Sequence, residues 1–268
     1  MRVVATTTQT ADFARVVGGD LVTVYDIVKP NVDPHDFEPS PKDLEEVRRA
    51  AVIVRNGIGL DHWLEDVIGS AGAKGAVVVA TTGVVLRRGT GGDDPHTWQA
   101  VPNAIRMVTN IEAAFAKADP SHESQYRSHL DTYAMTLTAL DQEIQQQVGA
   151  LSNRKLVTNH DAFGYYADRY GLDFVGSIIP SFDTSAELSA RDVNDLVAKI
   201  RATGVKAVFS ESSLPPKTAQ AIGKEAGVKV VAGDGALYGD SLGPAGSEGA
   251  TYVDMMRHNT RVIVDNLR

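Results

Sequence analysis

The chain has 268 residues, of which 43% are hydrophobic and 22% charged, the composition of a globular protein that can bury a full core. Its net charge of −8 and its 6% content of aromatic residues argue against nucleic acid as a partner and favour cations or a basic protein surface. The absence of cysteine excludes disulfides, cysteine nucleophiles and zinc–thiolate sites, so any transition-metal site must use histidine, aspartate and glutamate.

Short apolar strands alternate with helices in the first part of the chain. The patterning predicts strands over residues 2–5, 22–28, 51–55 and 76–80. Helices are predicted over residues 8–17, 41–50, 62–68 and 102–118, with a loop rich in glycine and aspartate over residues 87–94. Strands and helices that alternate at this spacing predict a parallel sheet covered by helices on both faces.

One segment in the middle of the chain departs from this alternation. Apolar residues recur every three or four positions from 126 to 151, without a breaker before Gly149, which predicts a single long helix. Asp119 is its predicted cap and Pro120 its first residue. At ~1.5 Å per residue the helix would be roughly 45 Å long, which exceeds the width of one lobe. We interpret it as a rigid connecting rod; the alternative is an ordinary surface helix of a single domain.

The alternation resumes after this helix. Strands are predicted over residues 155–158, 173–178, 207–210 and 228–232, and helices over 161–170, 190–202, 216–226 and 251–267. The predicted fold is therefore α/β: two βα lobes, each with a mainly parallel sheet flanked by helices, joined by one long helix. The predicted boundaries are 1–119 for the N-terminal lobe, 120–151 for the connecting helix and 152–268 for the C-terminal lobe.

A proline-rich loop follows the second predicted strand. Residues 33–41 read Asp-Pro-His-Asp-Phe-Glu-Pro-Ser-Pro, and three prolines in nine residues exclude a regular helix or a central strand. Ser40 and Pro41 predict the start of the next helix. A stiff loop that presents an imidazole, here His35, is typical of a binding site. The tripeptide Asp-Pro-His returns at residues 94–96.

Three histidines fall where predicted strands end: His35, His96 and His160. Ligands of open α/β sheets collect at the carboxyl ends of strands. Each of these histidines alone is more often structural than a ligand, but three at equivalent positions in two lobes favour a shared site. The other histidines lie inside predicted helices, where solvated or packed roles are the default: His62, His122, His129 and His258.

A fourth ligand should be a carboxylate from the second lobe. Asp240, in a glycine-rich loop after the last predicted strand, lies in a suitable place. Glu211 is a competitor, whose other roles would be to anchor a turn or to hold a ligand imidazole from behind. Asp93 and Asp94 are predicted to cap a helix or a turn rather than to bind metal.

These motifs resemble those of a known family. The matching stretches are residues 33–41, 94–98, 158–170, 240–243 and 251–259. In this order and over essentially the whole chain they are similar to the metal-binding solute-binding proteins of ABC importers, the cluster A-I or TroA-type family. The resemblance implies a metal in the cleft between the lobes, held by His35 and His96 from the first lobe and His160 and Asp240 from the second. Glu38 then has a supporting role.

The ligand set has consequences for chemistry. Three imidazoles and one carboxylate suit zinc and related divalent ions, and four protein ligands leave no obvious position for a catalytic water. We therefore expect carriage of one ion per chain and no enzymatic activity. In the family a glutamate at the third position favours manganese, so that His160 favours zinc, with manganese as the alternative. The loop of residues 87–93 lacks the histidines that many dedicated zinc members carry there.

The resemblance implies a monomeric extracytoplasmic receptor, periplasmic or lipid-anchored, that delivers zinc or manganese to an ABC permease. From the residues alone, the first positions lead directly into a strand pattern, which fits either a cytoplasmic protein or a mature domain associated with a membrane only through a removed or absent N-terminal anchor. Two other functions stay open. One is a metal-dependent hydrolase with Glu38 or Glu211 as general base, and the other is a binding protein for a chelated or organic ligand.

Overall fold

A computed structural model describes residues 1–89 and 91–268; residue 90, inside the predicted loop 87–94, lies outside the described residues. The strands are Arg2–Ala5 (β1), Thr23–Asp26 (β2), Val52–Arg55 (β3), Ala76–Val79 (β4), Arg88–Gly89 (β5), Gly92–Asp93 (β6), Lys155–His160 (β7), Asp173–Ile179 (β8), Ala207–Phe209 (β9) and Lys229–Val231 (β10). The α-helices are Thr8–Gly18 (α1), Pro41–Arg49 (α2), Leu64–Ala71 (α3), Val101–Ala118 (α4), Glu123–Gly149 (α5), Gly164–Tyr170 (α6), Ala190–Thr203 (α7), Lys217–Ala226 (α8) and Tyr252–Leu267 (α9). Every predicted strand and helix is present, with shifts at the ends.

Two parallel sheets organise these elements. The strand order is β2-β1-β3-β4 in the first sheet and β10-β9-β7-β8 in the second, and every pairing in them is parallel. The first strands of the two halves, β1 and β7, both lie inside their sheets. Later strands are therefore added on both sides of the first strand, and the direction in which the chain winds reverses there. The predicted α/β fold with two parallel sheets and helices on both faces is confirmed.

The helices form three layers around the sheets. One apolar cluster joins the first sheet to α2 and α3, and another joins the second sheet to α7 and α8. Between the sheets, side chains of α1, α4, α5, α6 and α9 share one continuous buried core that reaches both sheets. The two lobes are therefore not separated by solvent along this layer, and relative movement of the sheets would disturb shared packing.

The long helix is present as predicted. Helix α5 has 27 residues, or ~40 Å at 1.5 Å per residue. Its predicted apolar stripe is buried: Tyr126, Leu130, Tyr133, Leu137, Leu140, Ile144 and Val148. Its opposite face is exposed, as at Met135. The stripe packs along α4, α1 and α9, so this helix is part of the shared layer between the two sheets.

Local details differ from the predictions at a few places. The loop 87–94 contains a short antiparallel hairpin of β5 and β6. Asp119 caps no backbone N–H, because its carboxylate instead accepts hydrogen bonds from the side chains of Ser121 and Tyr126, and a 3₁₀ turn precedes α5. The predicted helices around His62 and Asp161 begin later, at Leu64 and Gly164. Within the described residues, no helix is both long and apolar enough to span a membrane.

Candidate metal centre

The four residues named from the sequence converge at one point between the sheets. One donor atom of each of His35, His96, His160 and Asp240 lies within 4.8 Å of the other three. The Nε2 atoms of His35 and His160 are each 3.4 Å from Nε2 of His96. Asp240 faces all three rings, with Oδ2 3.1 Å from His160 and 3.5 Å from His35, and Oδ1 3.1 Å from His96.

The repeated tripeptide Asp-Pro-His builds the same turn twice. In the first copy Asp33 Oδ1 accepts the backbone N–H of His35 at 2.9 Å, and in the second Asp94 Oδ1 accepts that of His96 at 3.0 Å. An aspartate that accepts a hydrogen bond from the backbone two residues later closes an Asx turn. The intervening proline fixes one further dihedral angle, so that each imidazole leaves its loop in a defined direction.

Neighbouring groups hold the first loop. The indole Nε1 of Trp63 donates to the carbonyl of Pro34 at 3.3 Å. The predicted start of α2 is confirmed, since the hydroxyl of Ser40 accepts from the backbone N–H of Asp43 and the Asp43 carboxylate accepts from the backbone N–H of Ser40. The residues between the second strand and α2 form no regular structure, as the prolines predict.

Two ligand-candidate imidazoles have a carboxylate behind them. Asp94 Oδ1 lies 2.8 Å from Nδ1 of His96, and Glu211 Oε1 lies 2.8 Å from Nδ1 of His160. An ionised carboxylate only accepts hydrogen bonds, so Nδ1 of each ring donates to it and Nε2 faces Asp240. Once Nε2 loses its own proton, its lone pair is directed at the same point. Of the alternatives for Glu211, the structure therefore selects support of an imidazole.

For Asp94 the prediction was incomplete. Its carboxylate caps the turn as expected, but the same oxygen also orients His96, and the other oxygen pairs with Arg87 at 2.8 Å. The recurrence of Asp-Pro-His was a signal for this role, although only the second copy places the aspartate against the ring. Asp93 instead pairs with Arg88 at the surface, at 2.9 Å. Glu38 is exposed and does not belong to the converging group.

The loop that carries Asp240 is anchored from the first half of the chain. The carbonyl of Gly239 accepts two hydrogen bonds at 3.1 Å, from Nε1 of Trp98 and Nε2 of Gln99. The backbone N–H of Leu242 donates to the hydroxyl of Thr8 at 2.8 Å. Gly239 has no room for a side chain, because a Cβ there would lie 1.8 Å from Oε2 of Glu211. Direct contacts thus hold Asp240 across the cleft.

Helix α9 braces the segment just before Asp240. The side-chain amide of buried Asn259 brackets the backbone of Tyr238, accepting from its N–H at 2.9 Å and donating to its carbonyl at 2.8 Å. Nε2 of His258 lies 2.9 Å from the carbonyl of Ala236. The motif at residues 251–259 therefore has a positioning role that the sequence did not reveal.

The other four histidines do not join the cluster, in agreement with their predicted packed or solvated roles: His62, His122, His129 and His258.

The electrostatics of the cluster follow from its burial. Side chains of His96, His160 and Asp240 have no exposed surface, and that of His35 is 6% exposed. Burial by itself would lower the pKa of His96, but the carboxylates of Asp240 and Asp94 outweigh it and raise that pKa to about 9. In the same way Asp240 and Glu211 overcome burial and raise the pKa of His160 well above its ordinary value.

Asp240 shows the opposite balance. Burial would raise its pKa, yet the facing rings of His160 and His96 hold that pKa well below its usual range. Among the described residues, neither carboxylate oxygen receives a hydrogen bond of acceptable geometry. A buried, ionised carboxylate needs positive charge beside it, which the protonated rings of His96 and His160 supply in the metal-free protein. A divalent transition metal can replace those protons, because three imidazole nitrogens and this carboxylate converge on one point.

We predict that Glu211→Gln weakens zinc binding by roughly tenfold and Glu211→Ala by about a hundredfold, because His160 loses the negative charge that orients its ring and increases its basicity. Competition titration against a chelator measures both constants. Glu225→Gln, on the exposed face of α8, is the matched control and should leave affinity unchanged. Equal affinity of the Glu211 variants and the parent would contradict this role.

Comparison with known proteins bears on the identity of the chain. The pattern of the family described as zinc-uptake complex component A, periplasmic, matches residues 3–266. The chain is 34% identical over 278 residues to the manganese-binding lipoprotein MntA of Bacillus subtilis strain 168, covering 100% of this chain and 90% of the relative. It is 31% identical over 261 residues to the iron-binding protein YfeA of Yersinia pestis, covering 95% and 82% of the two.

A solved structure agrees with these matches. The periplasmic zinc-binding protein TroA of Treponema pallidum superposes with a TM-score of 0.90 at 28% identity, over 99% of this chain and 98% of that one. The resemblance to the TroA-type family, based on spaced motifs, is thereby confirmed. The chain belongs to the family of the periplasmic zinc-uptake complex component A.

Proposed function

We propose that this protein is the solute-binding component of an ABC importer, which captures one divalent transition-metal ion and delivers it to a membrane permease. The observation that carries the proposal is the buried convergence of three imidazole nitrogens and one ionised carboxylate on a single point. His35, His96, His160 and Asp240 are its proposed ligands. Two carboxylates behind the rings fit this role, because metal-bound imidazoles commonly donate their other N–H to such a group.

The proposed lobes meet at this site. With boundaries of 1–119 and 152–268, two ligands come from each lobe, so the bound ion would link them. The ion would add to existing contacts across the cleft, such as that between Gly239 and Trp98. Because a ligand that binds only the folded state stabilises it, metal should raise the midpoint of thermal unfolding.

The donor set suits more than one metal. Zinc binds nitrogen and oxygen sites more tightly than manganese or iron(II), so we expect zinc to have the highest affinity of the three. Relatives named for manganese and iron, beside a zinc-binding solved structure, support a divalent transition metal as the cargo class without favouring zinc. Cargo in the cell then depends on metal supply and permease as well as on affinity.

Location and partners follow the family. An extracytoplasmic position agrees with the family's description as periplasmic and with the naming of the Bacillus subtilis relative as a lipoprotein. We propose that the protein acts as a monomer towards its permease. A hydrolytic role has little support, since Glu211 is already committed to His160 and Glu38 is exposed outside the cluster.

Metal titration of chelator-treated protein tests the proposal. We expect close to one zinc or manganese ion per chain, with zinc displacing manganese, and at least a hundredfold loss of affinity in His35→Ala. His62→Ala, an exposed histidine outside the cluster, is the control and should bind like the parent. Absence of stoichiometric binding, or a His35→Ala variant with parental affinity, would overturn the proposal.

A further inference from the structure

A loop from the second half of the chain lies beside the metal cluster. It follows β8 and covers residues 181–185, with the backbone N–H of Asp161 donating to the carbonyl of Ser181 at 3.2 Å. From there the loop reaches two elements of the first half, the His35 loop and the β5–β6 hairpin. His35 is the one candidate ligand with some side-chain exposure, at 6%, and the loop contacts the turn that carries it.

Phe182 forms the apolar part of this contact. Its side chain is buried, and its ring centroid lies 6.3 Å from that of His96. The ring rests directly on the hairpin at Gly89, where a Cβ would lie 2.5 Å from Cζ of Phe182. A glycine at this position therefore lets the ring approach the backbone of the opposite lobe. The phenyl group excludes water from the neighbourhood of His96.

Thr184 forms the polar part. Its hydroxyl donates to Oδ2 of Asp33 at 2.6 Å across the cleft. The other oxygen of the same carboxylate accepts the backbone N–H of His35 at 2.9 Å. One carboxylate thus joins the loop of the second lobe to the turn that presents His35. A hydrogen bond to an ionised acceptor is stronger than one between neutral groups, so this contact is suited to holding the loop against the His35 turn.

We propose that residues 181–185 form a latch that controls exchange of the metal, with Phe182 closing the entrance and Thr184 fastening the loop to Asp33. The inference rests on the proposed function as a metal receptor. The continuous core between the sheets opposes a wide separation of the lobes, which makes a small movement of this loop the easier route for the ion. Release of metal then requires that the Thr184–Asp33 hydrogen bond break and Phe182 leave Gly89.

Stopped-flow kinetics on the full chain separate a latch from a merely structural loop. Zinc association is followed directly and zinc dissociation by transfer to a chelator. We expect Thr184→Val and Phe182→Ala each to accelerate both association and dissociation by roughly tenfold, with the dissociation constant changed by less than about threefold. Both rates rise together because a latch obstructs passage in both directions.

Two variants serve as controls. Ser185→Ala removes a hydroxyl that, among the described residues, bonds within the loop alone, to Asp183 at 2.7 Å. Thr184→Ser keeps the hydroxyl that reaches Asp33. Both should exchange zinc at the parental rates. Thr184→Val and Phe182→Ala rates equal to those of Ser185→Ala would overturn the latch, as would faster dissociation with unchanged association. Failure of the parent protein to bind zinc would instead overturn the proposed function.

Discussion

Replacement of Asp240 by asparagine should reduce zinc affinity by roughly a thousandfold, the effect of removing one partner from a buried group of charges. The amide is nearly isosteric with the carboxylate, but it brings no negative charge to the point where three imidazole nitrogens converge. The loss of zinc affinity should exceed that caused by any single substitution of a carboxylate that supports a ligand imidazole, because Asp240 is the only carboxylate among the four proposed ligands. Competition titration of the variant and the parent under the same conditions measures the ratio.

A control separates loss of charge at the site from loss of the fold. Asp234→Asn changes an exposed aspartate in the same connection after β10 and should keep parental affinity. Asp240→Asn itself should fold, since Trp98 and Gln99 still hold the neighbouring carbonyl of Gly239. A folded Asp240→Asn protein that binds zinc within about threefold of the parent would refute the assignment of Asp240 as a ligand.

Zinc affinity should also fall steeply as the pH decreases. The pKa of His96 is raised to about 9 and that of His160 is raised well above its ordinary value, so both metal-free rings carry a proton at neutral pH. Metal must displace these protons, and displacement of the His96 proton alone corresponds to about a tenfold loss of apparent affinity for each pH unit between 8 and 6, with a further loss from His160. Calorimetry in buffers of different ionisation enthalpy should detect about two protons released per zinc ion at pH 7.

The same groups determine how stability changes with pH. Because the folded pKa of His96 lies above the unfolded value of about 6.5, its stabilisation of the metal-free protein is complete below pH 6.5 and is lost as the pH rises through 9. Metal affinity changes in the opposite direction. The difference in unfolding temperature between zinc-loaded and metal-free protein should therefore grow from pH 6 to pH 9. An affinity that is constant from pH 8 to pH 6 would contradict the proton competition.

Much of the site could be predicted because its signals are local in sequence. His35 and His96 lie in loops after strands and His160 is the last residue of β7, and the carboxyl ends of parallel strands bring such residues together. The turns at the two Asp-Pro-His tripeptides could also be predicted, because proline and an Asx turn determine the backbone within three residues. Assignment of Asp240 rather than Glu211 as the fourth member depended on the family resemblance, because both residues follow strands of the second sheet.

What the sequence did not reveal depends on contacts between distant segments. Asn259 braces Tyr238 from a helix that begins after the site loop, and Thr184 meets Asp33 across 151 positions of chain. No periodicity or spacing encodes such pairs. The support of His96 by Asp94 is local, yet only the orientation of the ring distinguishes it from a simple cap.

The continuous core qualifies the division into lobes. Helix α9 belongs by sequence to the proposed C-terminal lobe, but the backbone N–H of Tyr252 donates to Asp12 at 3.0 Å, and its ring lies 4.9 Å from that of Phe13 on α1. The boundaries at 119 and 151 therefore remain a proposal. With such shared packing, metal binding should proceed by local rearrangement of loops around the cluster rather than by wide hinge closure.

Crystals of the zinc-loaded protein, measured above and below the zinc absorption edge, test the central proposal most directly. We predict one anomalous peak per chain, within ~2.0–2.2 Å of Nε2 of His35, His96 and His160 and of a carboxylate oxygen of Asp240. Glu211 should remain behind His160 and outside bonding distance of the metal. A peak at another place, or a zinc ion bound by fewer than these four residues and completed by an exchangeable water beside a free carboxylate, would contradict the proposed receptor site.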